Sequence, residues 1–250
     1  MKFPDFIIIG APKCGTTPLW FSLDKHPDIT MIPRSPGHTE MHFWGKQLFK
    51  SKGVDWYKSL FHGKICGEKT PGYWIRKNSM VQIKQYIPDV KLIMCVRHPT
   101  ERAYSNYKMN VKSRKVPGTF TENLFLKRYF DAGQYMKHLN ANVLSIFKKE
   151  QLHISVTEWM KKDTVNEMNK IYKFLELPNL NIEARVIDPK EKPWTTGDME
   201  EQRKESWYRV WDQYSETVTG ELRTKINNYY KEQNERMFDF LGYEISEWKL

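Results

Sequence analysis

The sequence is poor in cysteine and has no long hydrophobic run. Its 250 residues include three cysteines, none in a Cys-x-x-Cys pair or at the Cys/His spacing of a zinc site. This spacing argues against a disulfide framework and a zinc centre. The longest aliphatic run near the start, Phe6–Ile9, is too short to span a membrane or to form the core of a signal peptide. We therefore expect a cytoplasmic protein with no membrane partner.

The sequence also has no internal repeat, no low-complexity tract and no clear linker. Hydrophobic residues make up 40% and charged residues 28% of the chain, a balance typical of folded proteins and not of disordered ones. A chain of this length can bury a substantial core. We therefore predict one domain over residues 1–250.

Acidic residues are fewer than basic ones. Lys and Arg total 40 against 30 Asp and Glu, which gives a net charge of +10. An excess of this size favours an anionic partner, such as a nucleic acid, a membrane surface or a phosphorylated or sulfated ligand. A basic surface that only keeps the protein soluble has the same composition, so the charge alone leaves both interpretations open.

Short apolar segments alternate with helical segments along the first two thirds of the chain. The predicted strands are Asp5–Gly10, Lys91–Val96 and Gln151–Val156. The predicted helices are Thr17–Lys25, Asn78–Tyr86 and Thr164–Leu175. Strands that alternate with helices in this way are typical of an α/β fold, here a central parallel sheet flanked by helices.

The last third of the chain has a different pattern. Thr217–Leu241 carries apolar residues at helical spacing, and Gly242 follows it at the position where helices commonly stop. The preceding stretch, Ile187–Tyr214, is polar and rich in lysine and tryptophan. We expect it to form a surface segment with partial helix, and it is a candidate lid.

A loop of small residues, Gly10–Thr17, joins the first predicted strand to the first predicted helix. Its glycines have the spacing of a nucleotide P-loop, but Thr16 stands where P-loop NTPases have lysine, and the lysine lies inside the loop as Lys13. Backbone N–H groups at the start of a helix bind anions. The loop therefore predicts a phosphate or sulfate site.

A second cation, Arg97, follows the strand Lys91–Val96. A P-loop phosphotransferase has an aspartate at such a strand end to help hold Mg²⁺, and arginine offers nothing to a metal. Pro99 opens the next helix, with Ser105 further along it. Two anion sites at the ends of parallel strands indicate a nucleotide that bears phosphates at both ends.

These stretches together resemble the sulfotransferases that use 3′-phosphoadenosine-5′-phosphosulfate (PAPS). FIIIGAPKCGTTPLWFSLDKHPDI is similar to the 5′-phosphosulfate loop of that family, and VRHPTERAYSNY is similar to its 3′-phosphate motif. Three further stretches resemble the heparan-sulfate-type and bacterial carbohydrate-type members: Glu40–Trp44, Gly67–Tyr73 and Asn234–Gly242. The resemblance implies a P-loop-kinase-like fold. It also implies sulfuryl transfer without a metal, which leaves adenosine 3′,5′-bisphosphate (PAP).

The resemblance also implies which residues hold PAPS. Lys13 contacts the phosphosulfate and stabilises charge on the leaving oxygen, and Arg97 and Ser105 bind the 3′-phosphate. The other predicted cofactor-binding residues surround the 5′-phosphate: Cys14, Gly15, Thr16, Thr17 and Pro18.

Glu40 is the general base that the resemblance implies, because a carboxylate within hydrogen-bond reach can take the proton of the acceptor. His42 competes for that role, since an imidazole titrates at about pH 6.5. The alternative for His42 is a structural role, as a packed and hydrogen-bonded histidine. Lys69 resembles a lysine that lines the active site, and Glu68 either orients it or forms a structural ion pair. The chain departs from many bacterial members at Thr39, where they have lysine.

The expected acceptor is a small metabolite, a natural product or a sugar, and the oligomeric state is left open. An alternative enzyme is a small-molecule kinase that uses ATP and Mg²⁺, although the position of Lys13 and the arginine after the second strand argue against it. The last alternative is a basic nucleic-acid-binding module. No helix-turn-helix, zinc-finger or RNP signature supports it, so we expect no nucleic-acid partner.

Overall fold

Five parallel strands form the sheet of the computed structural model, which describes residues 1–32, 39–112, 120, 127–180, 218 and 220–249. The strands are β1 (Phe6–Gly10), β2 (Ile29–Ile32), β3 (Ile65–Lys69), β4 (Lys91–Val96) and β5 (Leu152–Val156). Their order across the sheet is β2-β3-β1-β4-β5, and each neighbouring pair is parallel. The predicted parallel α/β sheet is confirmed.

Strands β1 and β4 form the buried centre of the sheet, where continuous apolar runs are expected in a parallel sheet covered on both faces. All five residues of β1 are buried, and so are the last five of β4. Both strands match the predicted segments. The third predicted strand is confirmed as β5, whereas β2 and β3 were not predicted.

Helices surround the sheet and occupy much of the remaining described chain. They are α1 (Thr16–Asp24), α2 (Gln47–Lys58), α3 (Lys77–Tyr86), α4 (Pro99–Lys112), α5 (Lys127–Phe130), α6 (Tyr135–His138), α7 (Thr157–Lys162), α8 (Thr164–Phe174) and α9 (Gly220–Leu241). A π-helical turn at Leu139–Leu144 and three 3₁₀ turns, at Asp131–Gly133, Lys149–Gln151 and Ser246–Trp248, complete the described elements.

Four predicted helices are confirmed as α1, α3, α8 and α9, with ends that shift by a few residues, and the helix predicted to open at Pro99 is confirmed as α4. Helix α9 stops before Gly242, which has a φ of 81°. Only glycine adopts this left-handed conformation without strain. The candidate lid, Ile187–Tyr214, lies outside the described residues. Within those residues, no helix combines the length and the apolar character needed to cross a membrane.

The carboxyl ends of the strands lie at one edge of the sheet, as they must in a parallel arrangement. The β1–α1 loop, Lys69 at the end of β3, Arg97 after β4 and Thr157 after β5 all belong to this edge. The sheet therefore brings together residues that are far apart in the chain, and the candidate site is built there.

Candidate active site

The β1–α1 loop places the start of a helix at the open edge of the sheet. Gly10 lies against Trp74, since a Cβ on the glycine would be 2.3 Å from the indole Cδ1 atom. Gly15 has a φ of 76° and directly precedes α1. The N–H groups of Thr16 and Thr17 open the helix, where no preceding turn supplies a carbonyl. These donors and the helix dipole suit an anion.

Pro18 also belongs to the first turn of α1, but it has no N–H group to donate. The backbone donors of this turn are therefore those of Gly15, Thr16 and Thr17. Thr16 is buried and Thr17 is exposed. A cofactor contact at Pro18 stays a prediction, and its backbone nitrogen cannot contribute a hydrogen bond to it.

Lys13 occupies the middle of the loop in a left-handed conformation, with a φ of 72°. Its Nζ atom lies 3.6 Å from the sulfur of Met109 in α4. Burial lowers the pKa of Lys13, and the positive charge of Arg97 lowers it further. The two predicted anion-binding cations are therefore near enough to repel each other, which an anion between them would relieve.

Lys69 ends β3 with a side chain that is only 1% exposed. Its Nζ donates a hydrogen bond of 2.8 Å to Oγ1 of Thr17 and lies 3.8 Å from Oε1 of Glu40. Burial lowers the pKa of Lys69 from 10.5 to about 8, although the charge of Glu40 opposes that shift. Lys69 thus joins the first turn of α1 to the candidate base.

Glu40 and His42 form a second contact of this group. Oε2 of Glu40 lies 2.9 Å from Nε2 of His42, and both side chains are partly exposed. Burial tends to raise the pKa of Glu40, but the hydrogen bond with His42 and the charge of Lys69 outweigh it and hold the pKa below its usual value. Glu40 is therefore ionised at neutral pH, as a general base must be.

Four backbone N–H groups hold the segment Met41–Trp44 against β3 and the turn after it. Met41 donates to the carbonyl of Lys69, and His42 donates to Oγ1 of Thr70 at 2.9 Å. The N–H groups of Phe43 and Trp44 both donate to the hydroxyl of Tyr73, at 2.8 and 3.1 Å. Thr70 and Tyr73 fix the position of the candidate base, a role that their place in the stretch Gly67–Tyr73 did not reveal.

Glu68 is fully buried on the face of β3 opposite to Lys69, because neighbouring residues of a strand alternate. It accepts hydrogen bonds from the hydroxyls of Tyr57, at 2.7 Å, and Thr70, at 3.3 Å. Burial raises its pKa to about 7 despite these bonds. Among the contacts described, Glu68 neither orients Lys69 nor forms the ion pair considered above. Its partners are hydroxyl groups.

Arg97 lies between β4 and α4 with a side chain that is 19% exposed. Its Nη2 atom is 3.8 Å from Oε2 of Glu101, whose other oxygen accepts a 2.6 Å bond from Arg223 of α9. Ser105 lies in the second turn of α4 and is half-buried. Arg97 and Ser105 thus belong to one strand-to-helix unit beside the loop of Lys13.

Cys14 contributes no side chain to the open edge. Its thiol is buried and lies 3.4 Å from the hydroxyl of Tyr135, and burial raises its pKa to about 11. Its backbone N–H lies 3.3 Å from the carbonyl of Ala11. A cofactor contact at Cys14 remains a prediction, and it is restricted to the backbone. Cys66 and Cys95 are buried as well, and none of the three cysteines is part of a disulfide bond in the described chain.

The described site therefore combines three cations, Lys13, Lys69 and Arg97, with a helix N-terminus and the partly exposed carboxylate of Glu40. No group of three His, Cys, Asp or Glu side chains within the described ranges is arranged to hold a metal ion. The arrangement can bind a polyanion and can place a base beside it.

The chain is similar in sequence to known proteins over nearly its whole length. Residues 3–238 match the family described as the sulfotransferase domain. Heparan sulfate glucosamine 3-O-sulfotransferase 3B1 of Homo sapiens is 31% identical over 72% of this chain and 47% of its own length. Bifunctional heparan sulfate N-deacetylase/N-sulfotransferase 1 of Caenorhabditis briggsae is 27% identical over 96% of this chain and 30% of its own length. The chain spans less than half of each of these curated relatives.

Solved structures that share the fold include two sulfotransferases from different sources. A sulfotransferase from Alicyclobacillus acidocaldarius superposes with a TM-score of 0.72 at 21% identity and covers 99% of both chains. Mouse sulfotransferase SULT7A1, solved in complex with PAP, gives a TM-score of 0.51 at 19% identity and covers 94% of this chain and 84% of its own. At these identities the likeness establishes the fold alone, which confirms the predicted P-loop-kinase-like architecture.

Proposed function

The chain belongs to the sulfotransferase family, and on that premise we propose that it transfers the sulfuryl group of PAPS to a hydroxyl or amine. The position of Lys69 carries this proposal. Its ammonium group is hydrogen-bonded to Thr17 in the first turn of α1 and lies 3.8 Å from the carboxylate of Glu40. The ammonium group of Lys69 therefore lies beside both the proposed phosphosulfate site and the candidate base, and sulfuryl transfer requires a cation and a base at the reacting group.

The charges at the edge of the sheet fit a nucleotide with anionic groups at both ends. Burial holds the pKa of Lys13 and of Lys69 below the usual value of an ammonium group, and Arg97 adds to the effect on Lys13. These lowered pKa values mean that the protonated site is costly by itself. A bound polyanion offsets that cost, since opposite charges at short range stabilise the charged forms.

The 5′ end of the nucleotide is proposed to bind at α1. The N–H groups of Gly15, Thr16 and Thr17 supply donors, and Lys13 supplies the charge. The 3′-phosphate is proposed to bind Arg97 and Ser105 at the β4–α4 corner. Arg97 pairs with Glu101 only at 3.8 Å, so its guanidinium retains donors for a phosphate.

When bound, PAPS supplies a sulfuryl group on an activated phosphosulfate linkage. Lys13 and Lys69 stabilise the negative charge that develops on the leaving oxygen. Glu40 accepts the proton of the acceptor, and His42 holds the carboxylate in its ionised form through their 2.9 Å contact. We assign the base to Glu40 because its pKa is held below its usual value, so that the proton-accepting form predominates at neutral pH.

The acceptor is proposed to be a sugar, a small metabolite or a natural product. The names of the curated relatives specify heparan sulfate and glucosamine, which supports a sugar hydroxyl or amine. Glu40 is 40% exposed, so an acceptor can reach it from solvent. The cytoplasm is the proposed compartment, and three cysteines outside any disulfide bond are compatible with its reducing conditions.

Calorimetric titration with PAP tests the nucleotide, with 5′-AMP and ATP plus Mg²⁺ as comparators. We expect PAP to bind much more tightly than 5′-AMP and to do so without Mg²⁺. Arg97→Ala should remove most of the advantage of PAP while 5′-AMP binds as before. A preference for ATP with Mg²⁺ would replace the proposal with the kinase alternative.

Transfer itself is tested by incubation with PAPS and a panel of amino sugars, sugars and small alcohols, followed by mass spectrometry. A gain of one sulfuryl group in an acceptor, lost in Lys69→Met, supports the proposal. PAP binding without transfer to any member of the panel would leave the donor assignment standing and contradict the proposed acceptor classes.

A further inference from the structure

Two buried hydroxyl groups, those of Tyr135 and Thr157, join the β1–α1 loop to the end of β4. The hydroxyl of Tyr135 donates a 2.7 Å hydrogen bond to the carbonyl of Arg97 and lies 3.3 Å from the N–H of the same residue. It also lies 3.4 Å from the thiol of Cys14. The hydroxyl of Thr157 lies 2.9 Å from the carbonyl of Cys14 and 2.8 Å from that of Val96.

These contacts connect the two ends of the proposed nucleotide site, through the thiol and carbonyl of Cys14 on one side and the backbone of Val96 and Arg97 on the other. Cys14 stands between Lys13 and Gly15, so whatever holds Cys14 also holds the 5′ end of the site. Arg97 is the cation proposed for the 3′-phosphate. A single hydroxyl, that of Tyr135, contacts both, and it does so from a side chain that is 1% exposed and cannot itself touch a ligand.

We propose that Tyr135 and Thr157 are positioning residues that fix the distance between the 5′ and 3′ anion sites, so that one nucleotide engages both at once. The inference rests on the proposed function. A ligand that bridges two sites gains affinity only if their spacing matches its own, because the second contact then forms at high effective concentration. A ligand with one phosphate gains nothing from that spacing.

The surroundings of Tyr135 suit such a role. Its ring packs against Trp74, with centroids 6.0 Å apart, and against Trp248, with centroids 5.8 Å apart. Burial raises the pKa of its hydroxyl well above the usual value, so the group stays protonated and continues to donate to Arg97. Trp74 also lies against Gly10, at the start of the same loop.

The test compares three ligands on the full chain: PAP, 5′-AMP and adenosine 3′-monophosphate. Tyr135→Phe keeps the ring and removes the hydroxyl, and Thr157→Val does the same for a β-branched side chain. We expect each variant to bind PAP about tenfold more weakly, the loss of roughly one hydrogen bond in a coupled site. The affinities for the two monophosphates should change by less than about twofold, because neither ligand needs both sites.

Tyr230→Phe is the matched control. Tyr230 is also fully buried, and its hydroxyl bonds to a backbone carbonyl, that of Phe130, at 3.0 Å. It contacts neither Cys14 nor Arg97 among the contacts described. We expect this variant to lose stability as Tyr135→Phe does and to keep the wild-type ratio of PAP to 5′-AMP affinity.

The outcomes separate the two proposals. A wild-type protein that binds PAP no better than 5′-AMP would contradict the proposed function itself. If the wild type prefers PAP and both hydroxyl variants keep that preference, the positioning role is wrong. An equal loss for all three ligands would mean that the hydroxyls support only the local fold. If Tyr135→Phe does not fold, Thr157→Val decides the question alone.

Discussion

The ammonium group of Lys69 donates a 2.8 Å hydrogen bond to the hydroxyl of Thr17, across 52 residues of sequence. This bond joins the end of β3 to the first turn of α1. Because Lys69 is also 3.8 Å from Glu40, one ammonium group lies against both the helix terminus and the candidate base. The pH dependence of ligand binding follows from this arrangement.

We expect the affinity for PAP to fall as the pH rises above about 8. Burial lowers the pKa of Lys69 to that value, so above it Lys69 is mostly neutral in the free protein. The bound nucleotide favours the charged ammonium group, so binding at high pH requires Lys69 to take up a proton, which weakens the affinity. Titrations from pH 6.5 to 9.5 measure this decline. Lys69→Met should bind more weakly and show little further change between pH 7.5 and 9, and a wild-type affinity that is constant over this range would contradict the prediction.

Lys13→Gly should abolish most turnover and leave the fold intact. Lys13 has a φ of 72°, which glycine adopts without strain, and the substitution also removes the repulsion with Arg97. We expect the melting temperature to stay at or above that of the wild type, and kcat to fall by about 10²–10³, as for the loss of one charge-stabilising donor.

Glu176→Gly is the control for this substitution. Glu176 is also left-handed, with a φ of 61°, but its side chain is exposed and pairs with Lys91 on the surface. Glu176→Gly should remove the same backbone strain as Lys13→Gly without a change in kcat. If Lys13→Gly retained wild-type turnover, the assignment of Lys13 to the phosphosulfate site would be wrong.

Glu40→Gln should lower kcat by about 10²–10⁴, the usual contribution of a general base, with nearly unchanged affinity for PAP. In the wild type the acid limb of kcat/KM should lie below the usual pKa of a glutamate, because His42 and Lys69 favour the carboxylate. His42→Ala removes one of these interactions, so the acid limb should move to higher pH. A greater loss of kcat in His42→Ala than in Glu40→Gln would reassign the base.

Glu68→Gln should change how stability depends on pH. The pKa of Glu68 is about 7 in the folded chain against an ordinary 4.5. Between these two pH values the carboxyl group is therefore protonated in the folded state and ionised in the unfolded state. Its contribution to stability is therefore full below about pH 4.5 and is lost as the pH rises through 7. Relative to the wild type, the melting temperature of the variant should rise between pH 5 and pH 8. If the melting temperatures of the variant and the wild type changed in parallel with pH, the raised pKa of Glu68 would be contradicted.

The strands and helices with uninterrupted patterns could be predicted from the sequence. Strands β1 and β4 are apolar throughout because both faces are buried, and α8 has a regular apolar stripe. Helix α2 was not predicted because Gly53, with a φ of 75°, interrupts its periodicity. Strand β2 has only four residues, too few for a clear pattern.

Strand β3 was missed for a different reason. Its sequence, ICGEK, ends in two charged residues that composition would place on a surface. Both are buried because tertiary partners satisfy them, the hydroxyl of Tyr57 for Glu68 and that of Thr17 for Lys69. Gly67 is required because a Cβ there would lie 2.2 Å from the ring of Phe6. Such partners cannot be inferred from a local pattern.

In the candidate site, too, residues in recognisable local patterns could be predicted and residues held by distant partners could not. The residues of the two anion motifs and Glu40 could be singled out because they lie in recognisable stretches of sequence. Tyr135 and Thr157 could not, since their contacts with Cys14 span 121 and 143 residues. A tyrosine or threonine outside a motif has no distinguishing feature until the fold places its hydroxyl between the β1–α1 loop and the end of β4.

The burial of all three cysteines makes their reactivity depend on opening of the chain. The pKa of Cys14 is raised to about 11 and that of Cys95 is raised further, so both thiols are protonated and enclosed in the native state. Only the thiolate reacts with alkylating reagents. Labelling at neutral pH therefore requires the chain to open locally or globally. The unmodified protein carries its own probes of opening, and Cys14 reports on the nucleotide loop itself.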